Sequence, residues 1–424
     1  MNDYDIVVAG AGAAGLMASI TASQMGMRVL LLEKMERPGR KILITGKGRC
    51  NITNTKVWNE FSRHIYPNSS FFKPAFKSFS NKKLIEFFEE IGLKLVIERG
   101  DRVYPSSGKS QDVVNVLINK LNSLGVDLKT HSKLTNIEIK ENRITEVKYE
   151  TPEGSLAISP KALIISTGGF SYPLTGSTGD GYIIAKKSGI ECTKCLPSLT
   201  ALMPFKYNRK LEKLVLKNVK VRLFIGKDLV QEEFGDAEFT NNGFEGPIGL
   251  KISRKAVKAF SDGNKVSLLI DLKPSLDETQ LINRIIREFA DSDKIHINTL
   301  LRRLLPIQLV DQFINELGMG KSKILSKNLP GEIHKIVDLI KNWTLNISSY
   351  TGFERCVITS GGIALDELIS KSMASKRINN LFFAGEVIDL DGDTGGYNLQ
   401  IAFSTGHLAG ISAAYLIEKS RSFV

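Results

Sequence analysis

Tyr4–Glu33 reads YDIVVAGAGAAGLMASITASQMGMRVLLLE, and the order of its parts decides the fold. A short β-branched run, YDIVVA, enters the glycine turn Gly10–Gly15. An Ala- and Met-rich helical stretch follows, and a second strand, RVLLLE, ends in Glu33. A lone GxGxxG is weak evidence. Here it leaves a strand, opens a helix and has an acid at the end of the next strand, the context that identifies a dinucleotide fingerprint. Gly10 permits the tight turn, Gly12 lets the backbone approach a pyrophosphate, and Gly15 lets helix and strand pack closely. The helix N-terminus, near Ala13 and Ala14, stabilises phosphate charge. Glu33 would accept from the ribose hydroxyls.

Two later segments select FAD over NAD. KALIISTGG (Lys161–Gly169) is a buried strand running into Thr167-Gly168-Gly169, a strand end that closes over a dinucleotide. Asn380–Gly410 gives a strand, then Gly385-Glu386, a polar glycine loop and a helix starting near Gly396. A late helix whose N-terminal amides face the flavin pyrimidine stabilises negative charge on the reduced ring. A chain that begins and ends with parts of one FAD site carries its other domain in the middle.

At 424 residues, two or three domains are expected. The 42% apolar and 24% charged shares are those of a folded protein. The N-terminus has two Asp and no basic n-region, which argues against a signal peptide. No apolar run is long enough to span a bilayer. Cys50, Cys192, Cys195 and Cys356 are too few for a secreted disulfide framework, so a cytoplasmic location is expected. The net charge of +12 is concentrated: Lys34–Lys83 holds twelve Lys/Arg against Glu36 and Glu60. Trp58, Phe61, Tyr66, Phe71, Phe72, Phe76 and Phe79 are interleaved with them. Cations with aromatics suit single-stranded nucleic acid; from composition alone, rings in the core and solvated cations is the better reading. Inside this segment GRKILITGKGRCNITN (Gly39–Asn54) has four cations and no acid. It lacks a helical period and is too glycine-rich for a settled strand.

These segments, with TGGFSYPLTGSTGDGY (Thr167–Tyr182), TNNGFEGPIGL (Thr240–Leu250) and TSGGIAL (Thr359–Leu365), resemble the BaiN/YhiN family of NAD(P)/FAD-dependent oxidoreductases, or HI-type flavoproteins, over essentially the whole chain. The resemblance implies an α/β fold: a glutathione-reductase-like FAD-binding Rossmann domain with an inserted β-barrel-like domain and a small helical subdomain. The expected division is 1–190 and 358–424 for the FAD domain, 191–274 and 341–357 for the barrel, and 275–340 for the helical insertion. The residues agree, with strand alternation in VKVRLFIG and KVSLLIDL and three- and four-residue apolar spacing in LDETQLINRIIREFA and LLRRLLPIQLVDQFINEL. The family is linked to reduction of a uridine in large-subunit ribosomal RNA to dihydrouridine, to reduction of a bile-acid double bond, and, in a distant relative, to amine oxidation.

The expected cofactor set is Gly10, Gly12, Ala13, Ala14, Gly15, Glu33, Lys34, Arg40, Lys41, Leu134, Thr167, Gly168, Gly169, Gly385, Glu386, Gly395, Gly396, Asn398 and Leu399. Arg40 and Lys41, seven and eight residues after Glu33, are placed to neutralise the pyrophosphate. Lys47, Arg49, Asn51, Lys56 and Arg63 are the candidates for substrate or RNA. No second fingerprint exists, so NAD(P)H would serve only as a transient reductant over the flavin. Cys50 is a candidate proton donor to an alkene carbon, although Lys47 and Arg49 should lower its pKa and favour thiolate. The alternative is a small buried residue supporting the loop. Tyr397 is a second candidate acid. Cys192 and Cys195 (CTKC) read as ordinary thiols at a domain junction. SSGKS (Ser106–Ser110) fails as a P-loop because Val103 stands where its glycine is required. No metal site is expected. The partner is ribosomal RNA or a small molecule, with no membrane involvement and no feature that sets an oligomeric state. A flavin-bearing RNA-binding protein with little turnover is the remaining class.

Overall fold

The computed structural model describes residues 4–289 and 293–421. The first three residues, used above in judging the N-terminus, and the last residue of the REFA helix pattern lie outside the described residues. The chain forms two compact units, 1–197 with 353–424, and 198–352.

In the first unit, Ile6–Ala9 is an interior strand of a seven-stranded sheet. It pairs in parallel with Val29–Leu32 on one side and Ala162–Ile165 on the other. Asp127–Lys129 extends one flank and Leu381–Phe383 the other, both parallel. All four residues of Ile6–Ala9 are buried, which is why this strand is a continuous apolar run rather than an alternating one. The Ala13–Gln24 helix packs against the C-terminal helix, Tyr397–Arg421. Small residues permit that contact: a Cβ on Gly406 would lie 2.3 Å from the carbonyl oxygen of Ala14, and one on Gly410 would lie 2.6 Å from that of Ala18. The two chain ends are therefore bound into one core around the fingerprint.

GRKILITGKGRCNITN is partly ordered into elements. Arg40–Ile44 is a short helix, Thr45–Gly48 a 3-10 turn and Thr53–Asn54 a strand paired to Arg102–Pro105. Lys47 and Cys50 both hold positive φ (57° and 58°), a conformation uncommon for residues with a side chain. The rings that follow turn inward. Phe61, Phe71, Phe72, Phe76 and Phe79 are buried, and Trp58 packs on Phe72 and Phe76 with centroids 6.2 and 5.0 Å apart. The aromatic–cation interleaving is thus a core with a charged exterior, the reading composition favoured.

In the second unit, Leu202–Pro204, Val215–Ile225, Asp228–Thr240, Gly243–Glu245, Val266–Asp271 and Trp343–Tyr350 close into a six-stranded barrel. Trp343, Phe239 and Phe244 are fully buried within it. Gly246–Ser261 is a helix of sixteen residues, where the sequence reading had only barrel strands; its buried Ile248, Ile252, Ala256 and Val257 follow the three- and four-residue spacing of a helix. The helical segment contains Glu278–Arg287, Ile297–Leu304, Ile307–Glu316 and Pro330–Lys341. Pro306 breaks the long LLRRLLPIQLVDQF pattern into two helices because it lacks an N–H and cannot continue the first. Among the described residues no helix is long and apolar enough to cross a membrane.

Candidate active site

The fingerprint turn is shaped by contacts that exclude side chains. Gly10 has φ +97°, and a Cβ there would lie 2.7 Å from the carbonyl oxygen of Ser166. A Cβ on Gly15 would lie 1.9 Å from the carbonyl oxygen of Gly10. Gly12 differs: a Cβ there would meet nothing within 4 Å. The chain is therefore tight behind the turn and open in front of it. That open side is a cavity lying within the first unit, with about 1230 Å³ of empty space, part of it open to solvent.

Of the expected cofactor set, Gly10, Gly12, Ala13, Ala14, Glu33, Lys34, Arg40, Lys41, Leu134, Thr167, Gly168, Gly385, Glu386, Asn398 and Leu399 line this cavity. Gly15, Gly169, Gly395 and Gly396 do not; they pack behind it. A Cβ on Gly169 would strike Thr359 Oγ1 at 2.5 Å, and one on Gly396 the Thr53 backbone at 2.4 Å. Two helix N-termini meet the cavity, at Ala13–Ala14 and at Asn398–Leu399, and no side chain caps the first. Each presents partial positive charge.

The cationic side chains at the cavity are largely engaged. Arg40 pairs with Glu36 and donates to the Leu174 carbonyl at 3.0 Å. Lys41 donates to Glu386 and Ser171, and the amide of Thr359 donates to Glu386 at 2.9 Å. Lys34 donates to Asp180 at 2.5 Å. The expected neutralisation of pyrophosphate by Arg40 and Lys41 is therefore shared with carboxylates, and the helix terminus is the unopposed source of positive potential. Glu33 accepts from the amides of Ala11 (2.8 Å) and Met35 (2.9 Å). Burial outweighs these bonds and raises its pKa. Each oxygen keeps a second lone pair for a hydroxyl donor.

Cys50 is fully buried and lines no part of the cavity; Thr45, five residues earlier, does. Burial pushes its thiol up to about 12. That reverses the expected depression by Lys47 and Arg49, because desolvation dominates and the two cations point outward. Tyr397 is also buried, edge-on to Phe61 and stacked on His64 at 4.5 Å. Burial, helped by Asp393, raises its pKa.

Among the substrate candidates, Arg49 makes a forked pair with Glu98 and lies 4.4 Å over the Tyr104 ring. Lys56 lies 3.3 Å from Glu60 and 3.8 Å from Asp101. Asn51, with its amide turned to suit its neighbours, donates to Thr53 O (3.0 Å) and Val103 O (3.2 Å) and accepts from Gly396 N (3.1 Å). It fastens the basic loop to the DGDTGG loop. Lys47 and Arg63 are exposed and make no ion pair among the described residues. Cys192 and Cys195 are free, and burial raises both thiols, Cys195 to about 11.

Sequence reasoning passed over Arg37, Thr45, Ser132, Lys133, Ser177 and Asp180, all at the cavity. The TGSTGD stretch carried the signal for the last two. It also passed over His64, whose Nδ1 is 2.8 Å from Asp393 beside Tyr397.

The profile of the HI0933-like protein Rossmann domain matches residues 4–412. The chain belongs to that family. It is a family of FAD-dependent oxidoreductases, and FAD fits the cradle at Gly12, the ribose acceptor Glu33 and the two helix termini. The chain is 26% identical over 416 residues to the 3-dehydro-bile acid delta(4,6)-reductase of Clostridium scindens, spanning 98% of this chain and 99% of the relative. It is 29% identical over 415 residues to the ribosomal RNA dihydrouridine synthase of Haemophilus influenzae, spanning 97% and 99%. Among solved structures, 3-ketosteroid delta1-dehydrogenase from Sterolibacterium denitrificans superposes with a TM-score of 0.55 at 13% identity, over 98% of this chain and 100% of that one. This last likeness is one of fold. The HI0933-like family member is thus an FAD-dependent oxidoreductase.

Proposed function

We propose that this flavoenzyme reduces the C=C bond of a uridine in large-subunit ribosomal RNA to dihydrouridine. The activities named for the two full-length relatives share the addition of hydrogen across a carbon–carbon double bond. The observation that carries the RNA substrate is the surplus of unengaged cations beside the FAD unit. Lys47, Arg63, Lys73 and Lys77 make no ion pair among the described residues. Lys73 and Lys77, four residues apart on the Ser69–Ser78 helix, are both exposed. A neutral small substrate gives such a surplus nothing to do, whereas RNA phosphates are attracted by it.

Bound FAD in its reduced form supplies hydride, with NAD(P)H as its transient reductant in a cytoplasmic setting. The chain's own residues hold the dinucleotide through Gly12, Glu33 and the Ala13 terminus. The terminus at Asn398 offsets charge on the reduced ring. Cys50 stays a thiol at neutral pH, and with no surface on the cavity it supports its loop in this reading. Tyr397, buried against Phe61 and His64, lines no part of the cavity either, so it too supports its loop in this reading.

Small-molecule alkene reduction is the second reading. The inward turn of Phe61, Phe71, Phe72, Phe76 and Phe79 favours it, since it removes a base-stacking platform from this face. Deleting the gene and mapping dihydrouridine in the host's ribosomal RNA separates the two. Loss of one modified uridine is expected; an unchanged map overturns the RNA reading.

A further inference from the structure

The second unit carries a basic surface assembled from segments that are remote in sequence. Asp311, on the Ile307–Glu316 helix, is its hub. Lys321 Nζ lies 2.8 Å from one carboxylate oxygen, and Lys210 Nζ, from the loop before the Val215–Ile225 strand, lies 3.8 Å from the other. Lys321 holds the Asp311 carboxyl below its ordinary range against some desolvation, and Lys210 and Arg302 add to the effect. Asn208 Nδ2, 3.5 Å from Gln312 Oε1, fixes the loop to the same helix. One acid therefore gathers three cations, and the excess charge is left facing solvent.

Two features adjoin this hub. On one side, His296, Asn298, Thr299, Arg302 and Lys321 line an open cleft with about 490 Å³ of empty space, much of it open to solvent, at the start of the Ile297–Leu304 helix. Asn298, half-buried, lines it together with these cations. On the other side, the Lys210 loop carries Phe205, 62% exposed, with Lys206 Nζ 5.4 Å from its ring centroid. Lys206 is held at φ 55°, and Arg209 is exposed in the following turn. The nearest acid on that loop is Glu212.

We propose that this face of the second unit binds the ribose–phosphate backbone of RNA, with Lys210, Arg302 and Lys321 on phosphates and Phe205 offered to an unstacked base. An exposed ring beside cations is the sequence-tolerant platform of single-strand binders. The surface rests on the RNA reading above, which names the substrate but gives the second unit no part in holding it.

The test is binding of a transcribed large-subunit ribosomal RNA fragment across a potassium chloride series. Each phosphate contact contributes roughly 0.7 to the slope of log affinity on log salt for single strands. The triple variant K210E/R302E/K321E is expected to lower that slope by about 2 and to weaken binding at least tenfold at low salt. Its melting temperature and FAD content should be those of the parent. Asp311→Asn, which releases Lys210 and Lys321, is expected to tighten binding and steepen the slope, a gain that misfolding cannot imitate.

A parent slope retained by the triple variant overturns the surface and leaves the substrate reading standing. So does a loss of affinity in Asp311→Asn. A parent that binds phosphatidylglycerol vesicles through these residues, and no RNA, replaces the proposal with a lipid surface. Absence of RNA binding by the parent removes both this surface and the RNA reading.

Discussion

Residues 10–15 and residues 39–54 are both glycine-rich turns beside the same cavity, and they work through different parts of the chain. The first acts through backbone: its shape is dictated by what a Cβ would hit, and its charge comes from a helix terminus. The second acts through side chains, and their partners arrive from far away: Glu98 for Arg49, Glu386 for Lys41, Gly396 for Asn51. A backbone device is written in the residues that form it. A side-chain device depends on whatever the fold sets opposite.

That contrast is open to attack, beginning at Gly15. Gly15→Ala places a methyl against the carbonyl oxygen of Gly10, which cannot rotate away. The cost should exceed the ~1–3 kcal/mol of ordinary overpacking, with a collapse of melting temperature and flavin content together. Gly12→Ala is the control, since its methyl meets no protein atom. Melting of the FAD-free chain should stay as it was while FAD affinity falls about tenfold, or ~1.4 kcal/mol. Equal effects at the two glycines would erase the distinction between packing and cradle.

In the basic loop the largest expected effect is at Cys50. Its folded pKa of about 12 stands above the ordinary 9.0, so between these values the folded chain keeps a proton that the unfolded chain has lost. Stability is full below pH 9 and declines as pH rises, by roughly 1.4 kcal/mol per unit from this group. Denaturant titrations from pH 8 to 10.5 should show Cys50→Ala losing less stability over that range than the parent. At neutral pH the same variant should keep FAD and turnover; a drop of a hundredfold in rate with FAD retained would restore Cys50 as the proton donor.

The smallest effect is expected at Arg49. Its pair with Glu98 is solvent-exposed, so Arg49→Ala should move the melting temperature by no more than a degree or two. A large loss of stability would show that the Tyr104 contact, and not the ion pair, anchors the loop.

Much of the fold was legible before any coordinates. Strand, GAGAAG, helix and Glu33 lie close together in sequence, and their meaning follows from local geometry. The late TGGYNLQ helix start was readable for the same reason: the Gly395-Gly396 pair and the helical run after it are adjacent in sequence. The Gly246–Ser261 helix was missed because GPIGL invites a turn and the surrounding strands set the expectation. Its apolar period shows only when the whole segment is taken together. Composition favoured a buried fate for the aromatics in Trp58–Phe79 but gave no position for any one ring, since that depends on the packing.

The sequence alone determined the strand, glycine turn and helix at Gly10–Gly15, because backbone torsions and close approach are properties of residue type. It also determined that the cofactor domain is built from both chain ends. Only the tertiary structure decided which cations remain unengaged, that Cys50 is a protonated thiol, and that Lys210, Arg302 and Lys321 meet around Asp311. Charge and pKa depend on distance and desolvation, and neither exists until remote segments are brought together.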